Sequence, residues 1–296
     1  MSEQAKFSET TAYLILAVSV LCYASCVILA RVVYAEGGNA LTVLISRMAI
    51  FFVMLNIYFK VTGRPTRLTT RDRVASLALG LIVAFQSWCY YSAFQYIPVS
   101  LASLIFYTYP ILVAISTSLL SGTRLTPLMI AVLLAAFFGI FLVLEVSFDQ
   151  VETHGLLRAA GASLGMTTTV YLSTRILSRV DPQRMTLHSS AVTSWLYVLV
   201  VAFGPAEVML PHSVGGWIAL LAVPMVYVFA VLGFYSTIPV LGPVRASFIS
   251  NCEPLTTIVM ASLLLGEKLT PKQMVGGLLV LGSVAALQVF GRKKKT

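Results

Sequence analysis

A chain of 296 residues that is 58% hydrophobic and only 10% charged is far more apolar than a soluble domain, in which roughly half the residues are apolar and about a quarter charged. Its mean hydropathy of +0.90 marks a polytopic membrane protein, and no gap between apolar segments is long enough for a soluble nucleotide-binding engine, receptor head or catalytic domain. A net charge of +9 would suit nucleic acid, but its distribution along the chain follows membrane topology instead.

Ten segments are long and apolar enough to cross a hydrocarbon core of about 30 Å, which takes about 20 helical residues. They fall at 12–34, 40–60, 74–95, 98–120, 127–146, 156–177, 186–204, 214–235, 243–265 and 271–290. A lone lysine, Lys6, precedes the first and no small-residue cleavage site follows it, which predicts a retained helix rather than a removed leader. The first span carries Tyr23 and, near its outer end, Arg31. The second carries Arg47 within LISRMAIFF. The third runs into FQSWCYYSAFQY, where six of twelve residues are aromatic: Phe85, Trp88, Tyr90, Tyr91, Phe94 and Tyr96. The fourth adds Phe106, Tyr107 and Tyr109, then Pro110. In the sixth, GASLG at 161–165 forms a small-residue face for close packing within or between protomers, ahead of Tyr171. The ninth holds Ser250, Asn251, Glu253 and Pro254.

Cys22, Cys26, Cys89 and Cys252 all fall inside spans with no zinc or redox spacing, and read as small buried hydrophobes. His154, His188 and His212 make no metal pattern, and neither a phosphate-binding loop nor a metalloprotease motif occurs. No cofactor, metal or catalytic residue is expected.

With the N-terminus in the cytoplasm, 15 of the 20 Lys and Arg lie on the cytoplasmic side. They include Lys60, Arg64, Arg67, Arg71 and Arg73 in one loop, Arg175, Arg179 and Arg184 in another, and the tail Arg292, Lys293, Lys294 and Lys295. The opposite loops are mostly acidic, with Glu36, Glu145, Asp149, Glu152, Glu207 and Glu267. This asymmetry predicts both termini in the cytoplasm. The basic tail would attract anionic lipid rather than nucleic acid.

The chain resembles itself at an offset of 144 residues. Between 91–127 and 235–271, thirteen of 37 positions are identical, including Tyr91/Tyr235, Pro110/Pro254, Gly122/Gly266 and the Leu-Thr-Pro that closes each copy. Arg31/Arg175, Thr42/Thr186 and Ser46/Ser190 pair at the same offset. Each half, 1–148 and 149–296, holds five spans. Five is odd, so the second copy enters the membrane from the opposite side. Two halves of inverted topology are the plan of secondary transporters, whose sites lie near the midplane between repeats. The expected fold is all-α and integral to the membrane, with ten transmembrane helices in two inverted five-helix repeats.

These residues resemble the EamA-type members of the drug/metabolite transporter superfamily. EPLTTIVMASLLLGEKLTPKQMVGGLLVLGSVAAL at 253–287 is similar to the second-repeat signature of that family. Pro110, Gly122, Leu125 and Thr126 match the first repeat more loosely, and the resemblance covers essentially the whole chain. It implies a bacterial inner-membrane carrier that moves small organic solutes across the bilayer. Members differ in cargo, from amino acids and vitamins to nucleotide-like compounds and drugs. Two positions depart from the pattern: Thr123 replaces a frequent acid, and Tyr23 replaces a frequent tryptophan.

Glu253 carries the sharpest functional question, because a carboxylate near the bilayer centre is costly unless it meets a cavity, a partner, a substrate or a proton. It could bind a proton, hold a substrate ammonium group, or serve the backbone freed by Pro254. Asn251 could share any of these duties. Arg47 could meet a substrate carboxylate, pair with Glu253, or snorkel to the interface. Trp88, Tyr91, Phe106 and Tyr109, with Tyr23 and Tyr171, could line a pocket for a partly apolar or aromatic solute, or form an interfacial belt. Tyr109 is the repeat mate of Glu253 and Tyr107 that of Asn251. Pro110 and Pro254 would let the fourth and ninth spans bend as gates.

The resulting expectation is a carrier, monomer or homodimer, that works by alternating access on a small organic solute. Protons could be a second partner through Glu253, and the resemblance favours export. The alternative is a ligand-binding membrane sensor or assembly component without transport; an intramembrane enzyme would need a polar cluster that this sequence lacks.

Overall fold

A computed structural model describes residues 7–121, 126–149, 151–203 and 207–292. Lys6, Gly122, Thr123, Leu125 and the tail lysines Lys293 to Lys295 lie outside the described residues. The described residues contain no strand. Twelve helices follow one another: α1 (Glu9–Ala35), α2 (Ala40–Thr62), α3 (Thr70–Ala93), α4 (Val99–Phe106), α5 (Tyr109–Ser121), α6 (Pro127–Val143), α7 (Thr153–Leu177), α8 (Pro182–Phe203), α9 (Val214–Leu241), α10 (Pro243–Ser250), α11 (Glu253–Leu265) and α12 (Pro271–Arg292). Among these residues, six stretches are long and apolar enough to cross a membrane: α1, α2, α3, Val99–Leu120, α8 and α9. Two shorter apolar helices, Pro127–Val143 and Pro271–Leu287, accompany them. The protein is an integral membrane protein.

Polar side chains set where helices begin. Asn39 caps α2, Thr69 α3, Thr126 α6, Asp181 α8, Ser213 α9 and Thr270 α12, each side-chain oxygen accepting the N–H three residues on. Thr69 and Ser213, like Thr126 and Thr270, stand 144 residues apart, so the repeat extends to the caps. Gly63 ends α2 at φ 64, a left-handed conformation that glycine adopts without steric cost.

The count is twelve rather than ten because the fourth and ninth predicted spans are each broken in two. The breaks fall at Tyr107–Thr108 and Asn251–Cys252, 144 residues apart. In both cases the next helix has proline as its second residue, Pro110 or Pro254. Proline has no N–H to give and its ring crowds the carbonyl four residues back, so an α-helix cannot run through unchanged. The backbone tightens instead: the Thr108 N–H reaches the Ile105 carbonyl at 3.2 Å and the Cys252 N–H reaches Ile249 at 3.0 Å.

The helices form two compact units. The first comprises Met1–Ala84 and Leu172–Val240, the second Phe85–Tyr171 and Leu241–Thr296. Each draws on both sequence halves, so the repeat and the compact unit divide the chain differently.

In the first unit α2 packs on α1 and α8. Cys26, Val33, Val43, Ala219, Leu220 and Val223 form a buried core. Hydroxyls tie α8 to its neighbours through backbone carbonyls: Ser194 donates to Met48 at 2.8 Å and Thr193 to Gly80 at 2.9 Å. A Cβ on Gly80 would lie 2.3 Å from the Ser189 carbonyl oxygen, so this α3–α8 approach admits only glycine. At one end Asn39 and Thr42 donate to the carbonyls of Glu207 and Met209. At the other, Arg179 meets buried Asp72 at 3.0 Å.

In the second unit α5 packs on α10, and α6 on α11 and α12. Phe248 on α10 is fully buried among Ala114, Val132, Leu133, Ala136 and Leu287. At the α6–α12 contact, a Cβ on Gly276 would lie 2.6 Å from the Gly139 carbonyl oxygen, and one on Gly139 2.8 Å from that of Gly276. The GASLG face is an intrachain packing surface: a Cβ on Gly165 would lie 2.6 Å from the Gln86 Cβ on α3. Two pairs of repeat-related helices, α2 with α8 and α6 with α12, therefore pack on each other inside one unit or the other, while α5 packs on α10, the repeat mate of α4.

Candidate substrate site

Glu253 is the first residue of α11. There the partial positive charge of the helix N-terminus favours a carboxylate. Tyr107, buried beside the opposite break, lies next to that carboxylate. Tyr109 follows the same break, is 2% exposed, and donates to the Ser247 carbonyl at 3.3 Å. Asn251 sits at the α10 end, 4% exposed, and its Oδ1 has no hydrogen-bond partner among the described residues. The two half-helix breaks thus place a carboxylate, an orphaned amide oxygen and two phenols together in the second unit.

An aromatic ladder runs away from this group. Phe106 lies 5.5 Å from both Tyr107 and Tyr109, Tyr90 4.7 Å from Phe106, and Tyr91 5.5 Å from Tyr90, measured between ring centroids. Phe94 closes it at 4.9 Å from Tyr90. The Tyr90 hydroxyl is fixed by Ser103 at 2.8 Å. An acidic end with aromatic walls can hold an ammonium group or a hydrogen-bond donor against an apolar surface.

Trp88 has a different setting. Its side chain is 51% exposed, and the Arg158 guanidinium lies 5.3 Å from its ring and 4.4 Å from that of Tyr96. Tyr171 is half-buried on α7. Pro110 and Pro254 stand directly after the breaks.

Arg47 and Tyr23 belong to the first unit, where both are half-buried and meet around one ring, that of Tyr227. The Arg47 Cζ lies 4.6 Å from the Tyr227 centroid, Tyr23 packs edge-on to it at 6.1 Å, and Phe51 does so at 5.3 Å. The guanidinium is held over an aromatic face, a favourable place for a cation. Arg31 is exposed on α1.

Sequence reasoning had not singled out Tyr227, which lies in a uniformly apolar helix with no motif around it. Tyr107 was visible as the repeat mate of Asn251. The signal that pairs it with Glu253 is the repeat itself, because repeat-related spans that pack together bring their matched polar positions together.

The EamA-like transporter family matches residues 10–145 and again 153–288. The chain belongs to that family. A protein of Archaeoglobus fulgidus described as an uncharacterized transporter is 26% identical over 255 residues, covering 84% of this chain and 86% of its own. An uncharacterized transporter of Synechocystis is 28% identical over 204 residues, 67% of this chain and 61% of its own. A solved crystal structure superposes with a TM-score of 0.78 at 19% identity, covering 96% of this chain and all of the other, which shows a shared fold. Family membership makes this protein a membrane transporter and the matched region two copies of the family domain.

Proposed function

We propose that this transporter is a secondary carrier of small organic solutes, amino-acid-like or aromatic and amphipathic, working by alternating access. The observation that carries the reading is the carboxylate of Glu253 at a break in a membrane helix, beside Tyr107, from which an aromatic ladder starts. A charge at that depth is expensive unless it serves binding or proton movement. Glu253 is the proton- or amine-binding group, Asn251 a second polar contact, and Tyr91, Phe106 and Tyr109 the wall. Trp88 and Tyr171 are further solute contacts, while Arg47 and Tyr23 form a second polar and aromatic group. The two repeats, of opposite orientation with both termini cytoplasmic, exchange roles as the carrier opens to either side, with Pro110 and Pro254 at the gates. The charge asymmetry of the loops and the resemblance to exporters support this orientation and an outward direction.

The test compares metabolites in cells and medium for bacteria producing the wild type, Glu253→Gln or no carrier. One solute class should shift outward with the wild type alone. An equal shift with Glu253→Gln would remove Glu253 from the mechanism while leaving the carrier. No shift from a protein present in the membrane would favour a sensor.

A further inference from the structure

A groove along the C-terminal half of α2 lies in the first unit, and none of the residues discussed as solute contacts lines it. It has a volume of about 490 Å³ and is lined by Phe52, Val53, Asn56, Ile57, Phe59, Lys60 and Thr66. Its shape comes from local sequence. Gly63 turns the chain at φ 64, and the segment after it folds back so that Thr66 closes the groove beside Lys60. Val53 and Ile57 are more than half exposed, so the groove opens sideways to the bilayer.

We propose that this groove binds one anionic phospholipid of the leaflet on the Lys60 side. The chemistry is graded along the helix axis as a phospholipid is. Lys60 and Thr66 stand at the loop end, where Arg64, Arg67, Arg71 and Arg73 follow, and they match a phosphate. No described residue forms an ion pair with Lys60, and its side chain is exposed. Asn56 lies one helical turn deeper, about 6 Å, at the level of the ester carbonyls. Its amide gives one hydrogen to the Phe52 carbonyl at 2.8 Å and has a second to give. Phe52 and Val53, about 10–12 Å below Lys60, lie among the acyl chains, with Ile57 and Phe59 on the walls between. Diffuse attraction between a basic loop and an anionic surface needs no groove. Here one cation, one amide and an apolar trough share a single concavity.

Native mass spectrometry of the purified full-length protein, titrated with phosphatidylglycerol or phosphatidylcholine of equal chains, tests this. The wild type should bind one phosphatidylglycerol about five-fold more tightly than phosphatidylcholine, the ratio given by the ~1 kcal/mol of one basic side chain at an anionic surface. Lys60→Gln should bring the ratio close to one. Arg73→Gln, exposed in the first turn of α3 and outside the groove, should leave it in place. Asn56→Leu should weaken both lipids. An unchanged ratio in Lys60→Gln, or an equal loss in Arg73→Gln, would overturn the proposal in favour of diffuse attraction. Displacement of the lipid by millimolar inorganic phosphate would overturn it in favour of a simple anion site. All variants are surface changes, and an unaltered elution profile confirms that each is folded.

Discussion

Tyr107 and Glu253 are 146 residues apart in the chain, yet a phenol and a carboxylate meet where two helices stop. A hydrogen bond from that phenol to the carboxylate would contribute about 1.5–3 kcal/mol, and in a membrane few alternative partners replace it. Tyr107→Phe keeps the ring, and with it the packing on Phe106, but removes the donor. Flux in proteoliposomes should fall roughly ten-fold or more, with the amount of folded protein unchanged; wild-type flux would mean the bond is a bystander. Much of this group was legible in the sequence, because Glu253, Asn251 and Tyr109 are polar or amphipathic residues in apolar runs. Tyr227 was not legible. A tyrosine in α9 looks like any other aromatic until folding sets Arg47 above it, and sequence carries no record of that meeting.

At the level of elements, each of the ten apolar segments coincides with helix, but hydropathy could not see that two are broken. It averages side chains and is blind to a missing backbone N–H. The prolines held the clue: a residue that suits the first turn of a helix, found mid-span, marks a start as readily as a bend. The breaks leave backbone groups without helical partners, and in a bilayer such gaps persist only where something in the protein uses them. If they are hinges, Pro110→Ala and Pro254→Ala, which permit each pair of half-helices to fuse, should slow transport several-fold while leaving thermal stability equal or higher. Unchanged rates in both would show that the breaks are static supports for Tyr107 and Glu253.

For the molecule as a whole, the sequence made the repeat plain but not the partition into units. Similarity records duplication, whereas contact records packing, and here matched helices from the two halves pack on each other. A cut in the 144–152 connection should therefore leave neither fragment able to build a complete unit. Produced alone, each should be cleared almost entirely by proteolysis; produced together, they should recover protein and flux. Survival of either fragment by itself would show that a half folds independently.

The order of synthesis gives this interleaving a history. About 119 residues separate the end of α2 at Thr62 from the start of α8 at Pro182, so at 5–20 residues per second α2 waits roughly 6–24 s for α8. An early helix must be at ease among lipids alone, and α1 and α2 bury few hydroxyls. A late helix can be far more polar. Thr186, Ser189, Ser190, Thr193 and Ser194 are all buried in α8, and by the time it arrives the carbonyls of Met48 and Gly80 are already in the bilayer to receive two of them. The uneven polarity of the spans is thus a timetable, with solubility in lipid demanded first and recognition of a waiting partner later.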